Sequence, residues 1–162
     1  MINDSSPTVL LAGGGYVLRR VAAHLAPASF VVTSRSAETA SYFNGLGYFG
    51  AVLTFEGGAS MEHLLQDYPT LSVVVDSIPP SESLSGEQTG SAVAARAALF
   101  RSHGIQHVVF LSTTGVFGAE DGALIDEASA CSPRSDRAKR RYVTELAYQN
   151  SGVTTTVLRI PG

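Results

Sequence analysis

Continuous apolar runs such as Val73-Val74-Val75 and Val108-Val109-Phe110-Leu111 constrain this chain more than any other feature. A strand with one wet face alternates apolar and polar residues, whereas an unbroken apolar run needs cover on both faces, as in a parallel sheet sandwiched by helices. Six segments are predicted strands: Thr8–Ala12, Phe30–Ser34, Phe49–Leu53, Leu71–Asp76, His107–Thr113 and Thr154–Arg159. Between them, bounded by Gly, Pro or Ser, lie predicted helices at Val17–Leu25, Ala37–Leu46, Met61–Tyr68, Ser91–His103 and Ser135–Asn150. With right-handed crossovers this alternation gives an α/β fold, doubly wound, with a mostly parallel sheet of about six strands flanked by helices. Two longer loops, Ile78–Gly90 and Gly115–Pro133, follow the C-terminal ends of strands, the edge at which open α/β sheets bind ligands.

The 162 residues suit one domain that buries roughly 70% of the surface its unfolded chain exposes. Charged residues make up 15% and the net charge is −3, so the chain lacks the basic footprint that nucleic-acid backbones require. Cys131 is the single cysteine, which excludes a disulfide framework and suits a reducing cytoplasm. The four histidines show no metal-ligand spacing, so no metal is expected. Met1–Pro7 carries no positive charge and Val9–Ala12 is too short for a signal peptide or membrane span, so no membrane partner is expected.

The first predicted strand runs into Gly13-Gly14-Gly15 and then a helix beginning Tyr16-Val17. A strand, a glycine turn and a helix start are the context of a dinucleotide fingerprint. Glycines let the backbone approach a pyrophosphate, and unpaired N–H groups at the helix N-terminus stabilise its charge. Gly13 and Gly15 fill the first two places of G-x-G-x-x-G, while Leu18 holds the third, where a glycine serves close helix–strand packing. Leu18 is therefore expected to push the helix outward or weaken cofactor affinity. The plain alternative is a turn that only joins strand to helix.

About 20 residues beyond the glycines, an acid that binds the ribose is expected for NAD. The position holds Arg35, flanked by Ser34 and Ser36. A guanidinium there suits a 2′-phosphate, which points to NADP(H) in preference to NAD(H), with NAD(H) still open. A solvated loop arginine is the alternative.

The stretch Val108-Val109-Phe110-Leu111-Ser112-Thr113-Thr114-Gly115-Val116-Phe117-Gly118, followed by Asp126-Glu127 and Ser132-Pro133, resembles the extended short-chain dehydrogenase/reductase superfamily, in particular its atypical epimerase/dehydratase-like branch. The glycine turn, Asp76-Ser77-Ile78-Pro79-Pro80 and Leu158-Arg159-Ile160-Pro161-Gly162 fit the same order, so the resemblance covers nearly the whole chain. It implies that residues 1–162 form an NAD(P)-binding Rossmann domain, with Gly13, Gly14, Gly15, Tyr16, Val17, Arg35, Asp76, Ser77 and Ile78 at the cofactor. It further implies hydride chemistry on a sugar-nucleotide-like or other carbonyl or alcohol substrate. Dimerisation is implied through the helices Ser91–His103 and Ser135–Asn150.

By the same match Thr113 occupies the place of the catalytic Ser/Thr that hydrogen-bonds the substrate oxygen. Counting back from Glu145 puts Arg137 at the family's tyrosine position and Arg141 at its lysine position, so the Tyr-x-x-x-Lys pair is replaced. Tyr142 is one residue off, about 100° around the helix. An arginine cannot serve as the proton-transfer acid/base. Arg141 is left to hold ribose or phosphate, and Arg137 to bind an anionic substrate group. The structural alternative is a solvated charged face in which Arg141 pairs with Glu145 at i,i+4. A non-catalytic NAD(P)-binding sensor or scaffold is the alternative function. The family places its substrate lobe after the sixth strand, so that C-terminal lobe is expected to be missing here, and either further chain or a partner would supply the wall.

Overall fold

The computed structural model describes residues 6–55, 57–119 and 122–161; Met1–Ser5 of the N-terminal segment and Gly162 of the closing motif lie outside them. Six strands, β1 (Val9–Ala12), β2 (Phe30–Ser34), β3 (Phe49–Val52), β4 (Val73–Asp76), β5 (His107–Thr113) and β6 (Thr154–Ile160), form one sheet in the order β3-β2-β1-β4-β5-β6. Every pairing is parallel. The order reverses between β1 and β4, which is the switch point of a doubly wound sheet.

The helices are α1 (Tyr16–Ala22), α2 (Ala37–Gly45), α3 (Gly58–Asp67), α4 (Gly86–Ser102) and α5 (Asp136–Gln149). Successive strand residues serve opposite faces, as period-2 geometry demands. Leu10, Val31, Val74, Val108 and Phe110 pack with Met61 and Leu65 of α3, Val93 and Phe100 of α4, and Tyr148 of α5. Leu11, Phe30, Val32 and Leu111 pack with Leu18 and Ala22 of α1 and Phe43 of α2. The unbroken apolar runs are thus explained by two cores, one on each side of the sheet.

Helix α4 starts five residues before the predicted Ser91. Ser85 and Gln88 form a reciprocal capping box, with Gln88 N donating to Ser85 Oγ at 3.2 Å and Ser85 N to Gln88 Oε1 at 2.9 Å. Those two bonds outweigh the poor helix propensity of Gly86 and Gly90. Both glycines face Val143 of α5, and α4 and α5 pack closely there. The Ile78–Gly90 loop is correspondingly shorter than expected. Helix α1 stops at Ala22 rather than Leu25, and α3 starts at Gly58 rather than Met61. Part of the second long loop is a 3-10 turn, Thr114–Phe117. None of the helices of the described residues is long and apolar enough to cross a membrane.

Candidate functional site

The glycine turn is fixed from three directions. Gly13 has φ +98°, a conformation open to glycine, and its N–H donates to Thr33 Oγ1 of β2 at 3.0 Å. Ser77, just past β4, brings its hydroxyl to 2.8 Å from the Gly13 carbonyl and 3.2 Å from that of Ala12. Gly14 donates its N–H to the Thr33 carbonyl, and a Cβ here would lie 2.5 Å from the Phe43 ring. Gly15 differs from both: a Cβ would meet nothing within 4 Å. The first two glycines are therefore demanded by the protein's own packing, and the third leaves open space in front of the turn.

That space is a cleft of about 810 Å³ running along the C-terminal edge of the sheet. Gly13, Gly14, Gly15, Arg35, Ser77 and Ile78 line it, six of the residues expected at a cofactor. Tyr16 and Val17 do not line it. Tyr16 is 71% exposed, and the Arg20 guanidinium lies 3.5 Å from its ring centroid. Leu18 is fully buried in the core with Leu11 and Phe43, so the third glycine place is filled by an apolar packing residue.

Arg19 also lines the cleft, a residue to which the sequence motifs assign no role. Its Nε donates to the Gly14 carbonyl at 3.0 Å, and its guanidinium lies 5.8 Å from the Tyr42 ring and 5.6 Å from that of Phe43. Its proximity to the glycines in sequence was the available signal. Phe55, after β3, is a second lining residue that no motif marked.

Asp76, expected at the cofactor, lies behind the cleft wall, only 1% exposed and not among the lining residues. Its Oδ1 accepts the Ile78 N–H at 2.9 Å, and its Oδ2 accepts from Arg96 at 3.0 Å and from the Tyr148 hydroxyl at 2.5 Å. Burial would lower the Arg96 pKa, but Asp76 and Tyr148 override it and raise it. Burial, reinforced by Asp76, raises that of Tyr148 well above the ordinary 10.0. Tyr148 consequently contributes its full share of stability below pH 10. At higher pH the unfolded chain releases a proton that the folded chain retains, so stability falls. Urea unfolding is expected to show a steeper loss above about pH 10 for the parent chain than for Tyr148→Phe; equal slopes would refute the assignment.

The three residues expected at the chemistry, Thr113, Arg137 and Arg141, lie beyond the cleft at the end of β5 and on α5. Thr113 Oγ1 accepts the Gly115 N–H at 3.2 Å, which leaves its hydroxyl proton available to a ligand. Arg141 donates to the Leu111 carbonyl at 3.0 Å, with its guanidinium 5.5 Å from the Phe110 ring. Burial lowers its pKa, Asp76 opposes that, and Arg137 adds to it. Arg137 itself is exposed. The Arg141–Glu145 pair of the alternative, solvated-face reading does not form. Glu145 is fully buried and takes Arg159 of β6 instead, at 2.8 Å, because it points at the sheet rather than along the helix surface.

Solved structures share this architecture. A short-chain dehydrogenase/reductase superfamily protein from Agrobacterium tumefaciens with bound NAD matches with TM-score 0.74 and 18% identity, over 94% of this chain and 48% of that one. UDP-glucose 4-epimerase from Brucella ovis in complex with NAD matches with TM-score 0.73 and 17% identity, over 95% and 51%. The fold is the Rossmann fold that these two structures share. A functionally unknown conserved protein from Silicibacter pomeroyi has this Rossmann fold too, with TM-score 0.68 and 26% identity over 95% and 53%. The chain spans about half the length of each of these structures. No family model and no curated protein matches it in sequence. In this Rossmann fold the cleft lies at the switch point between β1 and β4, where a dinucleotide binds an open α/β sheet.

Proposed function

We propose that the chain is the cofactor-binding portion of an epimerase/dehydratase-like oxidoreductase, that it works in the reducing cytoplasm, and that it prefers NADP(H) over NAD(H). The observation that carries this reading is the open face of Gly15 at the head of a cleft that also holds Arg19 and Arg35. The residues present fit a dinucleotide. The turn would receive the pyrophosphate, and the two guanidiniums a 2′-phosphate, through charge-assisted hydrogen bonds. The nicotinamide, when bound, would supply hydride transfer. Thr113 would orient a substrate oxygen through its free proton. Arg137 and Arg141 would hold anionic groups, as suits a sugar-nucleotide-like substrate, and Arg141 is steadied by the Leu111 carbonyl. Two copies would associate through α4 and α5.

Titration followed by nicotinamide fluorescence tests the cofactor. NADPH is expected to bind more tightly than NADH, and Arg35→Ala to weaken NADPH by about tenfold, the worth of one charge-assisted contact, with little change for NADH. Tighter binding of NADH, or no saturable response to either, would overturn the proposal.

A second reading, a non-catalytic NADPH sensor or scaffold, is favoured by Arg137 standing where the family has its proton-transfer tyrosine. A screen of carbonyl and alcohol substrates separates the two: nicotinamide turnover supports the enzyme, and binding without turnover supports the sensor.

A further inference from the structure

Two walls of the cleft come from different connections. Phe55 lies between β3 and α3, and Ile78 lies between β4 and α4. Among the lining residues, Leu53, Phe55, Ile78 and Pro79 supply apolar surface beside the polar Thr54, Ser81 and Glu82. A planar purine is the part of a dinucleotide that suits such walls, and it adjoins the ribose whose 2′ position would face Arg35.

One buried side chain ties the two walls together. Arg96, on α4 and only 6% exposed, donates through Nη2 to the Phe55 carbonyl and through Nη1 to Asp76 Oδ2 at 3.0 Å. Its guanidinium carbon lies 4.7 Å from the centroid of the Phe55 ring. The other oxygen of Asp76 holds the Ile78 N–H at 2.9 Å. The path from Phe55 to Ile78 therefore runs through one rigid fork and one carboxylate. A planar guanidinium can serve both acceptors at fixed angles; a lysine ammonium, a point charge on a flexible stem, cannot.

We infer that Arg96 is a positioning residue, which fixes the gap between Phe55 and Ile78 and so sets how tightly the adenosine end of the cofactor is held. The inference rests on the proposed dinucleotide binding and goes beyond it, since Arg96 touches no ligand itself. It separates the two ends of the cofactor energetically: the network acts on the adenosine half and leaves the nicotinamide half alone.

The test is Arg96→Lys in the full chain, titrated with NADPH, ADP-ribose and nicotinamide mononucleotide. NADPH and ADP-ribose are expected to weaken by about tenfold, the worth of one hydrogen bond to a charged group, with nicotinamide mononucleotide unchanged. Hydrogen exchange at the Ile78 amide should quicken in the same variant. Because Arg96→Lys alters a buried pair, the neutral double variant Asp76→Asn with Arg96→Gln provides a second route, and a similar loss for the same two ligands is expected. A purely structural role would lower the melting temperature and leave the affinities of the folded chain at parental values, which overturns the inference while dinucleotide binding stands. A parent chain that binds neither NADPH nor ADP-ribose overturns the proposed function and this inference with it.

Discussion

Asp76→Ala is expected to destabilise the chain by about 3–5 kcal/mol, the usual cost of leaving one partner of a buried ion pair alone. Arg96 would keep its charge in a site that is 6% exposed without its carboxylate, and the Ile78 N–H and Tyr148 hydroxyl would lose their acceptor. A domain of this size has about 5–15 kcal/mol in total, so the variant should melt roughly 6–20 °C lower and fold only in part at physiological temperature. Asp76→Asn is expected to cost less, because the amide oxygen still accepts a hydrogen bond. Calorimetry or urea titration of the two variants measures the difference. If alanine and asparagine cost the same small amount, the buried charge is not what holds these elements together.

Gly15→Val is expected to separate binding from folding. The backbone at Gly15 has φ −77°, which any residue adopts, and a Cβ there touches nothing. Loss of a favourable helix N-cap should cost no more than about 0.5–1 kcal/mol. A branched side chain would nevertheless stand where a pyrophosphate must approach the turn. At about 1–3 kcal/mol for forced overpacking, NADPH affinity should drop by roughly five- to more than a hundredfold. Nicotinamide fluorescence and a thermal melt on the same sample decide the matter. A variant that binds NADPH as the parent does would remove the glycine turn from the cofactor site.

The sheet and its two layers were legible because apolar runs and glycine turns are local signals, and six strands were placed within two residues of their observed ends. The turn at Gly13–Gly15 was legible for the same reason, and so were Arg35, Ser77 and Ile78 as residues of one edge. What escaped depended on partners far apart in the chain. The hydrogen bonds of the Asp76 carboxylate to Arg96, 20 residues on, and Tyr148, 72 residues on, leave no mark in the local sequence. Glu145 reads as half of a helical pair until β6 brings Arg159 beneath it. The return of the Arg19 side chain to the Gly14 carbonyl is marked by no motif. The start of α4 rests on a local signal, the Ser85–Gln88 cap, which runs against the low helix propensity of Gly86 and Gly90.

The apolar runs that give both cores their material also create an ambiguity. In Val9-Leu10-Leu11 beside Val73-Val74-Val75, a slip of one residue exchanges one buried apolar side chain for another, so burial alone scarcely distinguishes the correct alignment from its neighbour. The polar residues at the strand ends do distinguish it. Thr33 accepts from Gly13, Ser77 reaches Gly13 and Ala12, and Asp76 meets Arg96 and Tyr148, and each of these bonds would be lost on a slip of about 3.3 Å. The residues that shape the cleft thus act as pins for strand alignment, and a change at them disturbs how the sheet is threaded as well as what it can bind.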